Sequence, residues 1–263
     1  MTTLRTNKLA HLTWKEAEQA FSGKPIVLVP MGAVEPHGPQ LPLGADYLVA
    51  EHMALRAAEE TGSLVTPTIP FGYCDTVRNT PGTISLELRT LEAIIHDTVA
   101  NLAIHGVERI VFVNNHRSNA VALNDVARKL RTQLNVEMAT FFPWGTIIAG
   151  SADLYEDFGA VFGHGGEPET SVMLHLHPED VRMDLAVKDQ YSDVWGIPAK
   201  GPSGISFKGA PIDIYLNAED VTESGTRGDP FAGTAERGQK MVGAATGLLI
   251  DFVNHFKGVP TPA

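Results

Sequence analysis

The feature that most constrains this chain is an alternation. Short, uninterrupted apolar runs are each followed by a longer stretch with helical spacing. Pro25–Met31 (PIVLVPM) and Arg109–Asn114 (RIVFVN) lack a period-two pattern, so protein must cover both faces of these strands. Asp46–Thr61 places Leu48, His52, Leu55 and Glu59 at successive turns and stops at Gly62. Leu91–His105 carries an apolar stripe through positions 91, 94, 95, 99 and 102 and ends at Gly106, and Asn119–Leu134 does the same through Val126, Leu130 and Leu134. Ser63–Thr68 and Val136–Phe142 read as further strands. Strand, helix and strand joined by short connections predict parallel βαβ units, hence an α/β fold with a mostly parallel central sheet. Beyond them, Glu169–Leu176 reads as a short helix, Val187–Gly233 as loops and short strands, and Thr234–His255 as a closing helix. Thr234 is its expected N-cap, with Arg237 where a capping box would carry Glu.

Composition narrows the class. With 43% apolar and 19% charged residues, the 263-residue chain can build a sizeable core, and we read residues 1–263 as one domain. A net charge of −11 disfavours nucleic acid and anionic lipid as partners and leaves a small-molecule substrate. The single cysteine, Cys74, allows neither an intrachain disulfide nor a Cys-based zinc site. Met1–His11 lacks the apolar core of a signal peptide, and no run is long enough for a membrane span, so the expected location is the cytoplasm.

Three segments carry chemistry. The first leaves the carboxyl end of the Pro25–Met31 strand, where open α/β sheets bind ligands, and presents Glu35, His37 and Asp46. Glu35 and His37 stand two apart, so an extended chain turns them to one side, and prolines 36, 39 and 42 stiffen the loop. Carboxylate, imidazole and carboxylate form a mixed oxygen and nitrogen set suited to Zn²⁺, Mn²⁺ or Fe²⁺. Singly, each residue has a plainer reading: a solvated charge, a loop histidine and an N-cap. The second segment, Asn114-Asn-His116-Arg-Ser-Asn119, also follows an apolar strand and opens a helix; the alternative is a polar turn with His116 merely exposed. The third, Gly163-His164-Gly-Gly-Glu-Pro-Glu169, offers His164 as a proton shuttle and Glu169 as a ligand or an orienting carboxylate. Its plainer reading is a flexible turn before an acidic helix start. Cys74 lacks a neighbouring histidine or a nucleophile elbow and reads as a small buried hydrophobe.

With these residues in hand, the chain resembles the creatininase family over nearly its whole length. Residues 32–46 match the pattern Gly-x-x-Glu-x-His-Gly-Pro-x-Leu-Pro-Leu-Gly-x-Asp. Pro81-Gly-Thr, Asn114-x-His116-x-x-Asn119, His164-x-Gly-x-x-Glu169-Thr-Ser171 and Gly228-Asp-Pro230 resemble further family segments. The resemblance implies a three-layer α/β/α fold, a homohexamer and two divalent metal ions per subunit. Glu35 and His116 would hold one ion and His37 the other, with Asp46 bridging and His164 as catalytic acid/base. Glu169 is the candidate for completing the second ion's ligands, the alternative being that it orients His164 by a hydrogen bond. The implied activity is hydrolysis of a carbon–nitrogen bond other than a peptide bond, in a cyclic amide or a formamide, with a short peptide also fitting. Its rivals are hydrolysis of a carbon–carbon bond in a cyclic keto-polyol and non-catalytic metal holding. Four positions depart from the pattern: Pro36, Gln40, Asn115 and Ser118, the last standing where true creatininases carry Glu. With the altered loop Cys74–Thr80, this points away from creatinine and towards a substrate whose carboxylate Arg78 would hold.

Overall fold

The computed structural model describes residues 5–261. Residues 1–4, part of the segment read as lacking a signal-peptide core, and residues 262–263 lie outside it. In chain order the elements are α1 (Trp14–Ser22), β1 (Val27–Met31), α2 (Ala45–Thr61), β2 (Leu64–Val65), α3 (Leu88–Ile104), β3 (Arg109–Asn114), α4 (Ala120–Leu134), β4 (Glu137–Phe141), α5 (Pro143–Ala149), α6 (Phe158–Val161), α7 (Glu169–Leu176), β5 (Ala199–Gly201), β6 (Gly204–Phe207), β7 (Ala210–Asp213) and α8 (Ala235–Phe256). Among the described residues, no helix is long and apolar enough to cross a membrane.

The first four strands form one parallel sheet in the order β2-β1-β3-β4. Alternate residues of β1 and β3 serve opposite faces. Leu28, Val111 and Val113 pack with α2 and α8 through Val49, Met53, Leu249 and Val253. Val27, Val29, Met31, Ile110 and Phe112 pack with α3 and α4 through Leu91, Ile95, Val99, Leu123 and Val126. Both central strands are therefore enclosed on each side, which is why their sequences show no polar alternation.

Several boundaries differ from expectation. Of Ser63–Thr68 only Leu64 and Val65 pair as a strand. Thr66 N–H still donates to Leu28, but the next donor to β1 is Ile69, to Pro30, one residue beyond the every-second-residue spacing, so the regular ladder ends there. The α3 helix begins at Leu88, ahead of its apolar stripe. The unanticipated α1 carries a full capping box, Thr13 with Glu16, which a scan for apolar stripes passes over. The stretch after α7 contains a three-stranded antiparallel sheet, β5-β6-β7, within the region expected to hold loops and short strands.

The strand order positions the site. From β1 the chain goes to β2 on one side, then crosses back to β3 on the other. The gap between β1 and β3 at their carboxyl ends is thus a topological switch point, where open sheets form a crevice. Met31 and Asn114 are register partners there, so the loops that follow start side by side.

Helices α7 and α8 press together at Gly238, where a Cβ would run into the Ser171 carbonyl and His175. Gly238→Ala is expected to cost about 3 kcal/mol, the upper end for overpacking. An unchanged denaturant midpoint for the variant would show that the helices can part freely.

Candidate active site

Three sequence-distant segments converge at the switch point. The Glu35 N–H donates to Leu43, closing the loop after β1 on itself. Gly32 lies against the Asp46–Tyr47 backbone with no room for a Cβ, which brings the start of α2 onto the end of β1. Asp46 sits in the first turn of α2, where the helix dipole favours a negative charge. His116 follows β3 by two residues.

Glu35, His37, Asp46 and His116 are all buried. His116 Nδ1 lies 3.0 Å from Asp46 Oδ2 and 3.2 Å from Glu35 Oε1. His37 Nε2 lies 3.3 Å from Asp46 Oδ1 and 3.9 Å from Glu35 Oε1. The outer ring nitrogens are pinned by backbone carbonyls: His116 Nε2 donates to Tyr73 O at 2.9 Å, and His37 Nδ1 to Glu35 O at 3.2 Å. Carbonyls only accept, so the outer nitrogens carry the protons and the inner ones face the carboxylates.

Electrostatics follow from this packing. Burial favours the neutral His37 ring, but Asp46, Glu169 and Glu35 together outweigh it and raise His37 to about 10. Burial likewise opposes the charge on His116, and Glu35 and Asp46 lift it well above the usual imidazole value. Burial disfavours charge on the acids too, yet the two imidazoles hold Asp46, and His116 chiefly holds Glu35, below the carboxylate range. Such a set, with inner nitrogens and carboxylate oxygens converging and outer nitrogens fixed by carbonyls, fits a divalent cation in place of the shared protons.

The third segment closes the site from the side. His164 stacks on His37 with centroids 4.6 Å apart, and its Nε2 donates to Pro36 O at 2.7 Å. The carbonyl fixes the proton on Nε2 and leaves Nδ1 for exchange. Glu35, His37 and His164 offer donor atoms within 4.8 Å of one another. Glu169 accepts from Gly165 N–H at 2.7 Å, and its charge also acts on His37. Among the described residues no hydrogen bond joins Glu169 to His164; Pro36 holds that ring instead. Gln40, one of the departures from the family pattern, ties down the same loop by donating to Gly165 O.

Glu35, Cys74 and His116 form a second such triad. The Cys74 Sγ, however, lies 3.9 Å from His116 Nε2, the nitrogen turned away from Asp46. Burial pushes the thiol up, and it packs with Ala33 and Val77. The sequence reading as a small buried residue holds for its burial, but the expectation that no histidine neighbours it is corrected: the fold brings His116 to it from 42 residues away.

A cavity of about 690 Å³ opens over these residues, with Ser118 and Glu169 in its wall. Arg78 is not in that wall. It is exposed and pairs with Asp75 in its own 3₁₀ turn, so the expectation that it would hold a substrate carboxylate is corrected. The turn aims the side chain outward and puts Thr76 and Val77 on the cavity side. Trp144 went unread in the sequence, and Asn115 was noted there only as a departure from the family pattern. Trp144, at the start of α5, donates Nε1–H to Asp46 Oδ1 at 2.7 Å. Asn115 accepts from Trp144 N and donates to Asp46 O, locking α5 to α2. Trp144 follows the carboxyl end of β4, so the strand-end rule applied to a third strand would have found it.

The family described as creatinine amidohydrolase matches residues 10–253. The creatinine amidohydrolase of Pseudomonas putida is 32% identical over 195 residues, covering 68% of this chain and 75% of that protein. The mycofactocin precursor peptide peptidase of Mycolicibacterium smegmatis is 30% identical over 231 residues, covering 86% of this chain and 83% of that one. A solved structure described as creatininase Mn superposes with a TM-score of 0.82 at 25% identity, over 97% of this chain and all of that chain.

Trp144→Phe keeps the packing and removes one donor to a buried carboxylate. The expected loss is about 1.5–3 kcal/mol of stability. Wild-type stability in urea unfolding of the variant would show that the indole bond contributes nothing.

Proposed function

Because the chain belongs to the creatininase family, we propose that it is a metal-dependent amidohydrolase that cleaves a carbon–nitrogen bond in an amide-type small molecule. One observation carries the reading. Two buried carboxylates and two imidazoles converge on one point, and the outer nitrogen of each imidazole is taken by a backbone carbonyl. A structural salt-bridge cluster has no need of fixed tautomers; a ligand set does.

Glu35 and His116 would hold one divalent ion, His37 a second, and Asp46 both. Glu169 is the further ligand for the second ion, since Ser118 offers only a neutral hydroxyl there. Zinc, manganese and iron suit this mixture of oxygen and nitrogen donors. When bound, such ions supply a water acidic enough to attack near neutral pH and a polarised carbonyl.

The chain's own residues do the rest. His164 Nδ1 exchanges the proton that the leaving nitrogen needs, because an amine anion is too poor a leaving group to depart unprotonated. The Pro36 carbonyl and the His37 ring hold His164 in place for that transfer. Gly165 N–H fixes Glu169 beside it. The names of the two relatives fall on either side of the division between peptide and non-peptide bonds, and we place this enzyme with the non-peptide group. The reading also includes assembly as a homohexamer in the cytoplasm.

Metal analysis of purified protein, followed by an amidase panel in the best metal, tests the proposal. Protein without tightly bound divalent metal, or metal-loaded protein inert on every amide, would overturn it. Asp46→Ala should strip both ions, and full metal content in that variant would refute the bridging role. His164→Ala should keep its metal while turnover falls by roughly 10²–10⁴-fold; metal loss there would make His164 a ligand.

A further inference from the structure

Once Arg78 is seen to face outward, the recognition of a substrate's far end needs another residue. Three cations line the cavity: Arg117, Lys200 and Arg227. Arg117 and Lys200 are exposed, whereas Arg227 is half-buried. Its Cζ lies 5.7 Å from the ring centroid of Phe162 and 5.7 Å from that of Tyr191. Aromatic faces steady a guanidinium but accept none of its in-plane N–H bonds.

The described residues contain two other half-buried arginines, and both have their donors taken. Arg109 donates to Val259 O, and Arg237 donates to Leu154 O and Ala232 O. No carboxylate or carbonyl among the described residues accepts from the Arg227 side chain. Glu219, also in the cavity wall, is engaged by Asn79, and Glu223 makes no ion pair with Arg227. A half-buried guanidinium with its fork unused in a ligand cavity is a ready site for a planar anion.

Arg227 is also fixed relative to the reacting end. Its N–H donates to His164 O at 2.7 Å. Gly163 and Gly166 both lie so close to the Arg227 carbonyl that neither has room for a Cβ. The segment carrying the guanidinium and the segment carrying His164 therefore interlock and hold a set spacing. Glu35, Asp46 and Glu169 mark the reacting end at the floor, so the guanidinium is placed to grip the substrate's other end.

We propose that Arg227 anchors a carboxylate at the far end of the substrate, so that the enzyme selects amides carrying a free carboxylate. This rests on the amidohydrolase reading for the reaction itself, but the recognition can be measured without turnover.

The probes are the monoamides succinamate, glutaramate and adipamate, each paired with its neutral diamide. Binding to metal-loaded protein is measured by calorimetry, and hydrolysis by ammonia release. In the wild type, at least one monoamide should bind about ten- to a hundredfold tighter than its diamide, the range of a charge-assisted hydrogen-bonded pair. Arg227→Met, whose thioether still fills the space beside Phe162 and Tyr191, should erase that preference, the monoamide losing far more affinity than its diamide. Arg227→Lys should keep part of it, having the charge without the fork. Monoamides bound no better than diamides by the wild type, or not at all, overturn the inference, as does a preference that survives in Arg227→Met. Should Arg227→Met fail to fold, a full preference in Arg227→Lys overturns the two-pronged anchor. A carboxylate preference without hydrolysis of any probe would uphold Arg227 and count against the amidohydrolase reading, which the wider amidase panel then decides; diamide hydrolysis without the preference would sink Arg227 alone.

Discussion

The carboxylate of Asp46 is the point on which this molecule's architecture converges. It is buried, it sits at the start of α2, and it takes partners from three other parts of the chain: the Trp144 indole, His37 and His116. A buried carboxylate without partners would cost several kcal/mol. Satisfying this one therefore draws together the loop after β1, the loop after β3 and the helix after β4. The sheet makes that possible because parallel strands deliver all three segments to the same edge. The pairing of acids with imidazoles, acting against burial, lifts the imidazoles and depresses the acids, so the fold concentrates opposite charges at the place where a cation fits.

The sheet and its covering helices were legible because burial on both faces leaves a direct trace in composition: PIVLVPM and RIVFVN have no polar positions to spare within their apolar stretches. Glu35, His37, Asp46, His116 and His164 could be singled out because they follow strand ends or sit among glycines, and the structure brings all five together. What stayed hidden is of another kind. Trp144 serves through an indole N–H and Tyr73 through a backbone carbonyl, and neither residue type announces a site. Arg78 and Arg227 look alike in sequence; only the local turn shows that one pairs with its own neighbour while the other faces the cavity. Helix α1 was missed for a related reason, since its signal lies in the cap and not in a stripe.

The segment carrying His164 is held by contacts that do not involve the reaction. Glu167 is fully buried and accepts from Tyr155 and Ser171, while Gln40 and Arg227 grip the neighbouring backbone. Burial pushes the Glu167 carboxyl up, and its hydrogen bonds only partly offset that. A histidine that must exchange protons sits on a loop, but a loop secured on three sides loses little order to the motion of its surroundings. Such support is what keeps a reactive group within the small positional tolerance that proton transfer demands.

The wall over the cavity has a hydrophobic centre of its own. Val194, Ile205, Ile214 and Val221 cluster around the antiparallel strands, separate from the two layers that flank the main sheet. A small separate cluster opens at a lower free energy than a large one. The roof can therefore loosen while the floor, with its fixed carboxylate and imidazoles, stays assembled. The packing of these four apolar residues is thus adjustable in sequence without touching the two layers that flank the main sheet.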